Sequence, residues 1–185
     1  YTEILSALKS PDTTVETVGR LIAKDMAITT KLLQVLNSAY FGLPRTVTNP
    51  EEAVGLLGFE TVKAMVMAIK LLGQYDRLKT GAFSIEHLWE HSTAVAHTAR
   101  RLVLLQTGDR DMAEDAYGAG LVQDVGKAVL AGNFAEQYDG VESLARKQRI
   151  PAWEVEKEIG GATHGEVGAH LLGLWGLPMS VLEAT

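Results

Sequence analysis

Apolar residues recur every three or four positions along almost the whole chain, and sustained alternation with a period of two is absent. That pattern predicts amphipathic helices throughout and an all-α fold. The first well-marked helix follows Thr13 and Glu16, whose spacing suits a capping box, and carries Val15, Val18 and Ile22 on one face. Asp25 is placed to cap the next, with Ile28, Leu32, Val35 and Leu36 as its stripe and Gly42-Leu43-Pro44 as its exit. Asn49-Pro50-Glu51-Glu52 supplies an N-cap, a proline in the first turn and two acids against the helix dipole. This short helix is expected to stop at Gly58. From Phe59 the stripe Val62, Val66, Ile69 and Leu72 predicts a helix to about Tyr75, and Ser84 opens a long one toward Gln106 that Gly108 closes. A helix from Met112 carries Tyr117 and Leu121 into Gln123-Asp124-Val125-Gly126-Lys127, where Gly126 marks a bend. Further helices run from Phe134 to Lys147, from Pro151, from a second capping box at Thr163 and Glu166 to Trp175, and from Leu177-Pro178.

Charge divides this helical string unevenly. Residues 1–76 carry 7 basic and 8 acidic side chains and residues 77–185 carry 10 and 15, which places a seam near Gly81 and suggests two helical parts, about 1–80 and 81–185. A net charge of −6 argues against a surface built for phosphate backbones or anionic lipid, so nucleic acid and membrane are not expected partners. No apolar run approaches the ~18–20 residues that cross a bilayer. Cysteine is absent, which removes disulfides, thiol nucleophiles and Cys-ligated metals and fits a reducing, cytoplasmic setting. The chain opens on Tyr1 with neither an initiator Met nor a charged-then-apolar leader, and so reads as a piece of a larger protein.

Chemistry is therefore confined to His, carboxylates, Lys and hydroxyls. Of the five histidines, His87 and His91 are four apart and share a helix face, whereas His97 points elsewhere; His164 and His170 are six apart, so only one of them can face a given site. His87-Leu88-Trp89-Glu90-His91 matches the inverted zinc-peptidase pattern, in which two imidazoles hold zinc and the acid activates water. An ordinary amphipathic helix with His87 in solvent accounts for the same string. A second constellation takes His91, Asp124 and His164 from three helices; such a set suits Zn²⁺, Fe²⁺ or Mn²⁺, with Lys127 one turn after the acid to meet a phosphate. Glu154, Glu156 and Glu158, with Lys157, read as a solvated acidic turn after Pro151, and Trp89, Trp153 and Trp175 as fillers of the core or of the seam between subdomains.

The stretch Leu21 to Gly42, with Asn37-Ser38-Ala39-Tyr40-Phe41 near its end, followed by Glu52-Ala53-Val54-Gly55-Leu56-Leu57-Gly58, resembles the HDOD domain family. Leu88-Trp89-Glu90-His91-Ser92, Gly120 to Lys127, His164-Gly165-Glu166-Val167-Gly168-Ala169 and Trp175-Gly176-Leu177-Pro178 follow in the family's order, so the resemblance covers nearly the whole chain. It implies an N-terminal helical subdomain joined to a bundle like that of the HD-type metal-dependent phosphohydrolases, acting as an output module of bacterial signalling proteins. Those hydrolases place His directly before the motif Asp; here Gln123 stands in that position, and a carboxamide is a weak, neutral ligand. The remnant site that the resemblance implies is His91, Gln123, Asp124, Lys127 and His164, with His91, Asp124 and His164 as the surviving ligand positions. Further family histidines would follow the Trp-x-Leu-Pro segment, past Thr185. No catalytic residue and no cofactor are expected, a divalent zinc, iron or manganese ion being the one the remnant would take. Hydrogen bonding among the same residues satisfies them without a metal. Asn37 and Ser38 are read as packing residues, while Tyr40 and Phe41 belong to the core or to a partner surface. The expectation is a non-catalytic interaction module that docks other signalling domains or regulatory proteins; the alternative is a metal-dependent phosphohydrolase acting on nucleotides or cyclic dinucleotides.

Overall fold

A computed structural model describes residues 2–38, 43–75, 83–177 and 179–185. Among them there is no β-strand, and the order is α1 (Thr2–Lys9), α2 (Val15–Ala23), α3 (Met26–Leu36), α4 (Pro50–Gln74), α5 (Ile85–Thr107), α6 (Arg110–Val122), α7 (Val125–Asn133), α8 (Ala135–Gln148), α9 (Ala152–Gly160), α10 (His164–Leu174) and α11 (Met179–Leu182). No helix of the described residues is long and apolar enough to cross a membrane.

Most helix ends follow from short polar signals. Asp25 Oδ1 accepts from the main-chain N–H groups of Ala27 and Ile28 at 3.1 Å each, so two donors that a helix start leaves unpaired are satisfied. Asn49 Oδ1 accepts from the Glu51 N–H at 2.8 Å, with Pro50 opening α4. Thr163 and Glu166 form the expected capping box. The cap of α2 is Thr14 rather than Thr13: the Thr14 hydroxyl accepts from the Thr17 N–H, while the Thr13 N–H is already donated to the Ser10 carbonyl in the turn after α1. Gly58, at φ +75° and ψ 168°, breaks α4 into two helical halves where the first half was expected to stop. The bend foreseen at Gly126 lies instead at Gln123 and Asp124; Gly126 is inside α7. Gly42, Tyr40, Phe41, Gly81 and Pro178 fall outside the described residues.

The chain makes two compact units, and neither is a single stretch of sequence. One comprises residues 1–70 and 97–118, the other 71–96 and 119–185, so the division recurs along the chain rather than falling once at Gly81. In the first unit the stripes of α2 and α3 are buried except at Val15, which is 38% exposed at the first residue of α2: Val18, Ile22, Ile28, Leu32 and Leu36 are all at most 1% exposed. Full burial of each such side chain contributes about 1.5–3 kcal/mol before entropy is counted. Asn37 ties the exit of α3 to the chain ten residues on, its amide donating to the Val47 carbonyl at 2.6 Å and its oxygen accepting from the Val47 N–H at 2.7 Å. In the second unit, Leu72, Phe83, Ile85, Leu88, Ala128 and Tyr138 form one apolar cluster, with Phe83 and Tyr138 edge to face, and Val141, Ala145 and Val155 join α8 to α9 in another.

Candidate functional site

The second unit brings the charged residues of α5, α7, α9 and α10 around one carboxylate. Asp124 immediately precedes α7 but does not cap it, so its side chain is available to other helices. The group is 5% exposed. Its Oδ2 lies 3.4 Å from Nε2 of His91 on α5 and 3.1 Å from Nζ of Lys127, one turn along α7; its Oδ1 lies 3.3 Å from Nε2 of His164. The Gln123 amide donates to Oδ2 over a long 3.5 Å. All five residues of the expected remnant thus meet at one point.

Two features of the sequence put His164 there. The capping box fixes it as the first residue of α10, where its main-chain N–H is one of the donors a helix start leaves free. Gly126 then lets α7 approach α10 until a side chain would have no room: a Cβ on Gly126 would fall on the His164 carbonyl and 2.9 Å from the Gly168 nitrogen. Close backbone contact of this kind is what a glycine inside a helix offers in return for its entropy cost.

The partner behind His164 was not foreseen. Glu156, expected in a solvated turn, is 2% exposed. Its carboxylate accepts the His164 main-chain N–H at 2.7 Å, pairs with His164 Nδ1 at 2.7 Å, and accepts the Tyr138 hydroxyl at 2.9 Å. A signal existed in the spacing, because Ala152, Val155 and Glu156 lie on one helical face, and an acid on an otherwise apolar stripe needs a buried partner. Glu158 is exposed, as read from the sequence.

Electrostatics follow from this sandwich of one imidazole between two carboxylates. Burial alone would lower the His164 pKa, but Asp124 and Glu156 outweigh it and hold the ring up at about 9. Burial would likewise raise both acids; His164 and Lys127 reverse that for Asp124, and the ring and main-chain donors of His164 together with Tyr138 reverse it for Glu156, so both lie below the usual carboxylate range. Burial and the adjacent Glu156 push the Tyr138 phenol far up, keeping it a donor. The cluster at neutral pH is an imidazolium and an ammonium facing two carboxylates.

Of the other candidates, His87 lines a cavity of about 290 Å³ together with His91, Asp124 and Lys127, and the rest are placed apart from the cluster. His87 and Glu90 are exposed on α5, as is His170 on α10. His97 belongs to the first unit, edge-on to Tyr117 at 5.1 Å, and burial first and Arg100 second lower its pKa to about 4, so it is neutral. Trp89 packs on the apolar cluster and Trp175 is half-buried, but Trp153 is 47% exposed and fills no core. Among the described residues no three His, Asp or Glu side chains stand so as to hold one metal ion. Lys127 already faces the Asp124 carboxylate, with Nζ 3.1 Å from Oδ2. The residues as arranged do not fit a metal centre, either at His91, Asp124 and His164 or at His87, Glu90 and His91.

The profile of the HDOD domain matches the chain over residues 1–185. This chain belongs to the HDOD domain family. An uncharacterised protein of Treponema pallidum (strain Nichols) is 28% identical to this HDOD domain over 184 residues, covering 98% of the domain and 34% of that protein, so the chain spans about a third of the curated relative's length. Among solved structures, an HDOD domain protein of unknown function from Geobacter sulfurreducens has a TM-score of 0.72 at 24% identity, covering 98% of this chain and 60% of the other. A Shewanella amazonensis protein provisionally named a phosphohydrolase gives a TM-score of 0.74 at 23% identity, covering 98% and 63%. Both share the fold of this HDOD domain.

Proposed function

We propose that this HDOD domain is a non-catalytic output and protein-interaction module of a bacterial signal-transduction protein, working in the cytoplasm, whose HD-like site has become a structural polar cluster. One observation carries the reading: the Asp124 carboxylate is taken by His164, Lys127 and His91, and His164 is held in turn by Glu156. Ion pairs of this kind account for the buried charge of Asp124 without a metal, and the cavity of about 290 Å³ beside it, lined by His87, His91, Asp124 and Lys127, is the opening the alternative phosphohydrolase would use. Gln123 in the place of the family's histidine supports the same reading, and the absence of cysteine fits the compartment.

Protein purified without chelator is expected to contain less than one tenth of an equivalent of zinc, iron or manganese by elemental analysis. With Mn²⁺ or Fe²⁺ added, it is expected to hydrolyse neither nucleotides nor cyclic dinucleotides above a blank. Stoichiometric metal that is lost in Asp124→Ala, with metal-dependent turnover, would replace the module by the phosphohydrolase.

A further inference from the structure

The first unit contains a cleft of about 590 Å³ that the polar cluster does not touch. Gly55 to Thr61 line it consecutively. A regular helix turns about 100° per residue and cannot present seven successive residues to one side; the break at Gly58 is what makes this wall. Its apolar lining includes Leu36, Leu43, Leu56, Phe59 and Leu104, of which Leu56 is 50% and Leu104 37% exposed.

Charge in the cleft has one sign in excess. Glu60, Asp111, Glu114 and Asp115 line it against two arginines, Arg100 and Arg110. Arg100 is already committed to Glu114, with Nε 2.6 Å from Oε1, while the second oxygen of Glu114 is buried without a hydrogen-bond partner among the described residues. Glu60 lies 3.6 Å from Lys63. Burial first, then Glu60, Asp111 and Asp109, raise the Asp115 pKa, which is the signature of acids crowded without enough positive charge. A volume of this size accepts one or two side chains of a partner, and acids beside exposed leucines favour a cation carried next to an apolar anchor.

We infer that this cleft is a docking site for a basic, amphipathic segment of a partner protein, one that inserts a leucine- or phenylalanine-like anchor between Leu56 and Leu104 and sets a lysine or arginine against Asp111 and Asp115. The inference rests on the interaction-module reading and gives that module a surface and a partner chemistry. Selection of phage-displayed random dodecapeptides on the whole chain tests it, followed by fluorescence anisotropy with the recovered peptides as labelled probes. Recovered sequences are expected to carry Lys or Arg within three positions of a large apolar residue. Their Kd is expected to rise at least tenfold in Leu56→Glu and in the double variant Asp111→Lys, Asp115→Lys. It should stay unchanged in Leu105→Glu, a residue 74% exposed that does not line the cleft. Circular dichroism keeps only variants with native helix content, and Leu104→Glu replaces any that misfolds. Peptides without basic bias, or binding indifferent to the cleft variants, would overturn the docking site while leaving the module; recovery of no peptide would overturn the site and count against the module as well.

Discussion

His164 has a carboxylate against each ring nitrogen, which makes it the residue on which the polar cluster turns. Replacing Glu156 by Ala leaves a buried imidazolium with one partner fewer and a Tyr138 hydroxyl with none, and is expected to cost about 3–5 kcal/mol in urea unfolding. Glu156→Gln keeps one acceptor oxygen, puts an amide donor in place of the other and removes the charge, so it should cost less than Ala and bring the His164 pKa down from about 9, which imidazole NMR titration reads directly. The pH dependence has a definite sign. Because the His164 pKa is raised from 6.5 to about 9, its contribution is complete below pH 6.5 and fades as pH climbs through 9. Because Asp124 and Glu156 are depressed, theirs is present above their unfolded values and fades as acid protonates them. The stability difference between wild type and His164→Asn should therefore peak at roughly pH 5–6.5 and shrink toward both pH 3 and pH 9; a difference independent of pH would deny the pairing. Five members of this cluster were legible in the sequence because each sits in a distinctive string. Glu156 was hidden in a run of acids, where composition says solvent and only its register with Val155 says otherwise.

Helix boundaries were legible where a polar side chain reaches the main chain two or three residues on, as at Asp25, Asn49 and Thr163, since both partners are then in one short window of sequence. Contacts between helices were not, and the glycines show why. Gly126, Gly58 and Gly140 all lie inside helical runs, yet the first faces another backbone, the second has a backbone conformation that a side chain disfavours, and the third meets nothing. The same substitution should separate them in thermal melts. Gly126→Ala forces α7 away from α10 and is expected to cost about 1–3 kcal/mol or more. Gly58→Ala strains the break in α4 by a similar amount, about 1–3 kcal/mol. Gly140→Ala, exposed in the middle of α8, should stabilise by about 0.5–1 kcal/mol through helix propensity alone. Equal losses at all three would mean that neither close approach nor positive φ explains the first two.

At the scale of the whole molecule, the all-α class was legible from periodicity, because most helices after Thr13 show an apolar stripe, although α1 was not foreseen; the partition was not, because chain connectivity alone does not say which helices share a core. A cut at Gly81 follows the change in charge and would give two successive halves. The units instead draw on separated stretches: Leu72 and Tyr75 belong with the apolar cluster of the second unit, while Ala113 and Tyr117, at most 1% exposed, belong to the first. A fragment of residues 81–185 therefore loses Leu72 and Tyr75 from one cluster and uncovers 97–118, whose partners lie in residues 1–70. Even one uncovered Tyr117 returns an aromatic side chain of considerable area to water, and the marginal stability of a domain leaves little margin for several such losses. The fragment is expected to show poorly dispersed amide NMR signals and no cooperative melt, whereas the intact chain gives dispersed signals and a cooperative transition. A well-dispersed, cooperatively melting 81–185 fragment would restore the simple cut and require the helices of the second unit to hold their core without residues 71–80.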